Sequence, residues 1–79
     1  MKEFIEQIIK QLVDKPDEIR INLIAGQQTI VMELRVGEGD IGMVIGRHGQ
    51  TAKSLRILLS AAGAKQGKRY ILEILENEK

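Results

Sequence analysis

The sequence predicts an α+β domain in which helices cover one face of a three-stranded sheet, in the order α-β-β-α-α-β. Three observations carry that expectation. Residues 2–13 repeat apolar side chains at helical spacing. Residues 18–25 and 29–36 alternate apolar with polar side chains. Residues 50–62 resume a helical spacing before a last apolar run at 69–75. With 79 residues the chain reads as one domain, residues 1–79, and a small one that gains from association.

The first helix follows from Phe4, Ile5, Ile8, Ile9, Leu12 and Val13, which fall on one face. Pro16 stops it, because the residue before a proline is pushed out of the α region. In the first strand Ile19, Ile21 and Leu23 alternate with Glu18, Arg20 and Asn22. Gly26-Gln27-Gln28 supplies a turn. In the second strand Ile30, Met32, Leu34 and Val36 alternate with Thr29, Val31, Glu33 and Arg35. Two alternating runs joined by a short glycine-containing loop read as a hairpin.

Gly37-Glu38-Gly39-Asp40 breaks the second strand. Asp40 suits the N-cap of a short helix ending near Ile45, or Glu38 and Asp40 occupy its favourable first turn. A second helix over about 50–62 buries Ala52, Leu55, Leu59 and Ala62, with Gly63 near its C-cap. Ala64 to Lys68 read as a polar loop leading into the final strand, Arg69 to Leu75.

Composition narrows the function classes. The chain has no cysteine, so it holds neither disulfides nor thiolate metal sites, and a reducing compartment suits it. No apolar stretch approaches the ~20 residues of a membrane span, and the N-terminus does not read as a signal peptide. A cytoplasmic location is therefore expected, with no membrane partner. Aromatic residues make up 3% of the chain, Phe4 and Tyr70, which argues against base reading mainly by stacking.

The net charge of +1 hides an uneven distribution. Residues 1–45 hold five basic and eight acidic residues; residues 46–79 hold seven basic and three acidic. Between Asp40 and Glu73 there is no acidic residue, while Arg47, Lys53, Arg56, Lys65, Lys68 and Arg69 all lie there. The split points either to an anionic partner on one side or to a solvated basic surface.

The acid-free stretch opens on Gly46-Arg47-His48-Gly49. Two glycines three apart let the backbone turn tightly and approach another molecule closely. A basic residue between them suggests an anion. With eight glycines in the chain, the spacing alone is weak. Its value comes from position, between two helical segments and after the branched apolar pair Val44-Ile45.

The segment Ile41-Gly42-Met43-Val44-Ile45-Gly46-Arg47-His48-Gly49-Gln50-Thr51-Ala52 resembles the V-I-G-x-x-G-x-x-I signature of KH domains. The element order resembles the type II form of that fold, over the whole chain. The length, the Asp14-Lys15-Pro16-Asp17 stop and the segment from Ala61 to Arg69 are most similar to small single-domain bacterial KH proteins. That resemblance implies a cytoplasmic RNA-binding protein acting as an RNA chaperone. It also implies a homodimer, or a heterodimer with a larger KhpB-type KH protein, and links to cell-shape and cell-wall control. Two positions depart from the pattern. Gln50 is neutral where a basic residue is common, which implies weaker phosphate contact. Ala52 stands where isoleucine is common, which implies a shallower groove or closer helix packing.

On this reading Gly46, Arg47, His48 and Gly49 clamp a single-stranded RNA backbone. Backbone N–H groups and the first turn of the next helix face phosphates, and Arg47 adds a charge-assisted contact. His48 donates a hydrogen bond or stacks on a base, or is simply an exposed loop residue. Ile41, Val44 and Ile45 form an apolar wall, or pack in the core. Lys53 and Arg56 extend the basic face, or form the solvated side of the helix. About four nucleotides fit such a groove, so one copy binds weakly and with little sequence preference.

The second helix holds more apolar residues than one buried face needs. Leu58 lies at the margin of the core arc, and Ile57 and Ala61 lie beyond it. A surplus of this kind predicts a symmetric dimer interface at Ile57, Leu58 and Ala61.

Nothing in the sequence suggests an enzyme. The single His48 has no nucleophile or carboxylate beside it in sequence, no metal-ligand set stands out, and no G-x-x-x-x-G-K-[ST] phosphate loop exists. No cofactor is expected. The main alternative is a protein-interaction module in which the KH surface serves assembly and RNA contact is secondary. Double-stranded DNA binding is weaker still, since no base-reading recognition helix stands out.

Overall fold

The computed structural model describes residues 1–76. Within them the chain forms helix α1 (Lys2–Lys10), a 3-10 turn (Pro16–Glu18), strands β1 (Arg20–Ala25) and β2 (Thr29–Val36), helix α2 (Ile41–Ile45), a second 3-10 turn (Arg47–Gly49), helix α3 (Gln50–Gln66) and strand β3 (Arg69–Glu76).

The three strands form one mixed sheet in the order β1-β2-β3. β1 and β2 are an antiparallel hairpin, with Arg20 opposite Arg35 and Ala25 opposite Ile30. The Gly26 N–H donates to the Thr29 carbonyl at 2.7 Å and closes the turn. β2 and β3 run parallel, with Ile30 beside Tyr70 and Leu34 beside Ile74. A parallel pair cannot be joined by a tight turn, so the chain crosses over through α2 and α3. That crossover carries the G-x-x-G segment.

β2 is the central strand and bears the core. Met32, Leu34 and Val36 are fully buried, as are Ile5 and Ile9 of α1 and Val44 of α2. Ile19 just before β1, Leu55 and Leu59 of α3 and Leu72 of β3 complete the cluster. The helices thus cover one face of the sheet. Val31, Glu33 and Arg35, which alternate with the core residues of β2, lie on the other.

Several boundaries differ from the sequence expectation. α1 ends at Lys10 rather than Val13, because the chain tightens there. Leu12 N–H bonds the Ile9 carbonyl at 2.9 Å, and Val13 N–H reaches the same oxygen at 3.2 Å. Both side chains still pack against the core. β1 begins at Arg20 rather than Glu18, because Pro16 opens a 3-10 turn that takes up Asp17 and Glu18. Proline fits that first position, having a fixed φ and no N–H to leave unpaired.

α3 continues to Gln66, so the predicted loop at Ala64–Lys68 shrinks to Gly67 and Lys68. Gly63 is a buried helix residue, not the C-cap. A Cβ there would stand 2.5 Å from the Lys68 carbonyl oxygen and 2.8 Å from Cδ2 of Tyr70. The helix ends at Gly67, which takes the left-handed conformation at φ 70°. Lys68 N–H bonds the Gly63 carbonyl at 2.8 Å and Gly67 N–H bonds that of Ala64 at 3.2 Å. This is a Schellman cap, and it sets the chain directly into β3.

Candidate nucleic-acid interface

The G-x-x-G segment is the joint between α2 and α3. The N–H of Gly46 bonds the Gly42 carbonyl at 2.9 Å and finishes α2. Gly46 itself has φ 77° and ψ 173°, a conformation essentially confined to glycine. Its Cα faces Thr51. A Cβ on Gly46 would overlap Thr51 Oγ1 and lie 2.7 Å from Thr51 Cβ and 2.9 Å from its amide nitrogen. The Gly49 N–H then bonds the Gly46 carbonyl at 3.1 Å, and Gln50 N–H bonds that of Arg47. The loop is one closed turn.

Two further residues hold positive φ. His48 lies at φ 55°, ψ 26° and Gly49 at φ 74°, ψ 12°. For glycine this costs little. For histidine the left-handed region costs roughly 1 kcal/mol or more. Such a conformation persists where the surrounding structure dictates it, and it turns the His48 side chain outward, where it is exposed.

Neither α2 nor α3 has a side-chain cap at its N-terminus. The first-turn N–H groups of a helix have no intrahelical acceptors, and they carry the positive end of the helix dipole. In α3 these groups follow Gly49 directly, beside the exposed Arg47 and His48. Among the described residues, neither of those side chains has a hydrogen bond or ion-pair partner.

Asp40 occupies the N-cap position of α2, but its carboxylate does not cap the helix. It is buried, at 2% exposure, and accepts the backbone N–H of Lys15 at 2.9 Å. The Lys15 ammonium reaches the Glu38 carbonyl at 2.9 Å. The turn after α1 is thereby fastened to the loop that leads into the joint.

The structure divides the remaining candidate residues. Val44 is fully buried among core side chains; of the two places open to it, wall or core, it takes the core, because it sits on the sheet-facing side of α2. Ile41 is half-buried against the same core. Ile45 is 38% exposed and Met43, which the sequence did not single out, is 42% exposed. Lys53 is exposed one turn into α3. Arg56 is exposed too, yet its guanidinium reaches the Leu72 carbonyl at 3.3 Å. It therefore sits over β3, not over the loop. Further along α3, Ile57 and Leu58 are 59% and 47% exposed, and Ala61 is exposed beside them.

Thr51 and Asp40 are the positions whose roles the residue pattern did not reveal. Aspartate before a helix signals a capping side chain; Asp40 holds the N-cap position, but its carboxylate ties to Lys15 across the fold instead. Thr51 gave no signal, because its partner is a missing Cβ.

A G-x-x-G turn joining two helices, packed on a three-stranded mixed sheet, defines a KH-type domain. The family model described as KhpA/KhpB, KH domain, matches residues 2–74. The chain belongs to that family. It is similar to the RNA-binding protein KhpA of Borreliella burgdorferi, at 49% identity over 74 residues, covering 94% of this chain and 90% of the relative. It is also similar to RNA-binding protein KhpA of Aquifex aeolicus, at 47% identity over 76 residues and 96% of each chain. A third relative of the same name, from Clostridium acetobutylicum, is 44% identical over 75 residues, which span 95% of this chain and all of the relative. No solved structure matches the chain.

Proposed function

We propose that residues 1–79 form a single KH domain of type II that grips single-stranded RNA through Gly46, Arg47, His48 and Gly49. It acts as an RNA chaperone of low sequence specificity. One observation carries the proposal: positive φ at Gly46, His48 and Gly49 turns the chain into the uncapped N-terminus of α3. That arrangement presents backbone N–H groups to an anion, and Arg47 stands beside them. The printed names of the relatives, RNA-binding protein KhpA, support the choice of anion.

Ile41 and Ile45 flank the loop as the apolar part of the surface, and Lys53 adds charge one turn away. Val44 supports them from the core. With about four nucleotides bound per domain and a neutral Gln50, affinity is modest. A dimer presenting two loops recovers it through effective concentration. The exposed Ile57, Leu58 and Ala61 support pairing through α3, either with a second copy or with a KhpB-type KH protein. Cytoplasmic location and a part in cell-shape and cell-wall control belong to the same proposal.

The exposed α3 face also favours a second reading, in which assembly is the main role and RNA contact is secondary. One experiment separates the two. Arg47 and His48 are both replaced by aspartate, keeping the glycines, and RNA crosslinking in cells is measured together with oligomeric state. Loss of RNA with an intact dimer supports the clamp. Unchanged crosslinking overturns it and leaves assembly as the function.

A further inference from the structure

Among the described residues, the free side of β1 beyond Arg20 carries none of the devices that usually blunt a sheet edge. The order β1-β2-β3 leaves both outer strands with one unpaired side. On β3, Arg56 leans over from α3 and bonds the Leu72 carbonyl. On β1, among the described residues, no side chain bonds the backbone of residues 21–25. The register from Arg20 to Ala25 is unbroken, so no bulge twists the edge away. The strand contains neither proline nor lysine, and its one charge is Arg20 at the start. Edges left this open are templates for pairing.

The hairpin fixes which groups face outward. Opposed residues of an antiparallel pair alternate between exchanging hydrogen bonds and not. The Gly26–Thr29 bond makes that pair a bonded one, and so, stepping by two, are Ile24–Val31 and Asn22–Glu33. The N–H and C=O groups of Ile21, Leu23 and Ala25 therefore point away from β2, to the open edge. Two large apolar side chains of the same strand are also exposed, Leu23 at 43% and Ile24 at 51%.

We propose that β1 pairs antiparallel with β1 of a second copy, about a two-fold axis at Leu23, to make one sheet continuous across both copies. The strand is self-complementary in this register. Leu23 faces Leu23 of the second copy, and Ile21 faces its Ala25, all with outward-pointing hydrogen-bonding groups. Shifting the register by two residues in either direction loses one of these bonded pairs. Arg20 falls opposite Gly26 of the second copy, so no like charges meet. On the other face Asn22 lies beside Ile24. The pairing gives the exposed Leu23 and Ile24 neighbours in the second copy, and it uses none of Ile57, Leu58 or Ala61. It therefore stands independently of pairing through α3.

The cysteine-free chain makes the test direct. In the paired state the Cα atoms of two opposed Leu23 residues lie about 5.5 Å apart, within disulfide reach. Leu23→Cys is expected to form a covalent dimer under mild oxidation. Asn22→Cys, whose counterpart in the second copy is Ile24, is expected to crosslink several-fold less. In the unmodified protein, amide exchange at Ile21, Leu23 and Ala25 should slow with rising protein concentration, while Asn22 and Ile24 stay constant. Leu23→Lys, at an exposed site that does not threaten folding, should abolish that concentration dependence and leave RNA affinity of the isolated domain unchanged. Equal crosslinking at Leu23→Cys and Asn22→Cys, or edge amides indifferent to concentration, overturns the proposal. Loss of α3 pairing in Ile57→Glu leaves these readouts unaffected, so the two interfaces fail separately.

Discussion

Gly46 and Thr51 are packed against each other so closely that the glycine has no room for a Cβ. Gly49, the other glycine of the motif, has nothing within 4 Å of the place a Cβ would take. The two glycines therefore exist for different reasons, the first for space and backbone conformation, the second for conformation alone. Gly46→Ala is expected to destabilise the domain by about 2–3 kcal/mol, since the Thr51 backbone as well as its side chain stands in the way. Gly49→Ala should cost only about 1–2 kcal/mol, from φ alone. Urea denaturation midpoints of the two variants check the order, and a Gly49→Ala cost equal to or above that of Gly46→Ala refutes it.

His48 is the one residue other than glycine with positive φ among those described. Asparagine visits that region because its short side chain can hydrogen-bond locally. His48→Asn should therefore leave stability unchanged or raise it by up to about 1 kcal/mol, while RNA affinity falls. Stability by thermal melt and affinity by titration separate the two effects. An affinity that stays at the starting value makes His48 a bystander of the clamp.

Arg47 and Arg56 look equivalent in sequence and are not in space. Arg56 serves the Leu72 carbonyl on β3. Arg56→Ala should cost about 0.5–1.5 kcal/mol of stability and leave the salt dependence of RNA binding in place. Arg47→Ala should reduce that slope by about 0.7 with stability nearly constant. Binding titrations at several salt concentrations distinguish them, and the reverse pattern would move the phosphate contact to Arg56.

Asp40 accepts the Lys15 N–H from a buried position. Asp40→Ala leaves that donor unpaired and should cost about 1–3 kcal/mol. Asp40→Asn keeps an acceptor oxygen and should cost distinctly less. If both variants melt together, the carboxylate is not what fastens the turn after α1.

Gly63 marks where α3 touches the start of β3. Gly63→Ala pushes on the Lys68 carbonyl and the Tyr70 ring and should cost about 1–3 kcal/mol. The amide resonances of residues 46–49 are expected to stay in place, since the disturbance is at the far end of the helix.

The elements of this fold were legible because period and punctuation agreed: Ile5 and Ile9 on one helical stripe, Met32, Leu34 and Val36 on one strand face, Pro16 and Gly26 between elements. What was not legible came from contacts between distant segments. Gly63 reads as a helix end in sequence, since nothing local reveals that the Lys68 carbonyl and Tyr70 ring occupy the place of its side chain. Leu23 reads as a core residue by alternation, yet the helix layer stops short of it. Val44 and Ile45 are adjacent apolar residues beside the loop, and only the orientation of α2 decides that one is core and the other surface. Arg56 lies three residues from Lys53, but the path of β3 beneath it determines what its guanidinium meets.

α3 is 17 residues long, about 25 Å at the usual rise. The G-x-x-G turn lies at its start, the exposed Ile57 and Leu58 near its middle, and the Schellman cap at its end. A ligand at the first turn and a partner at the middle, as proposed, would act on one rod. If pairing through α3 and RNA binding are coupled, thermodynamic reciprocity fixes the exchange. Whatever factor RNA applies to the dimer constant, the dimer applies to the RNA constant. Weighing either equilibrium alone, with and without the other component, measures both.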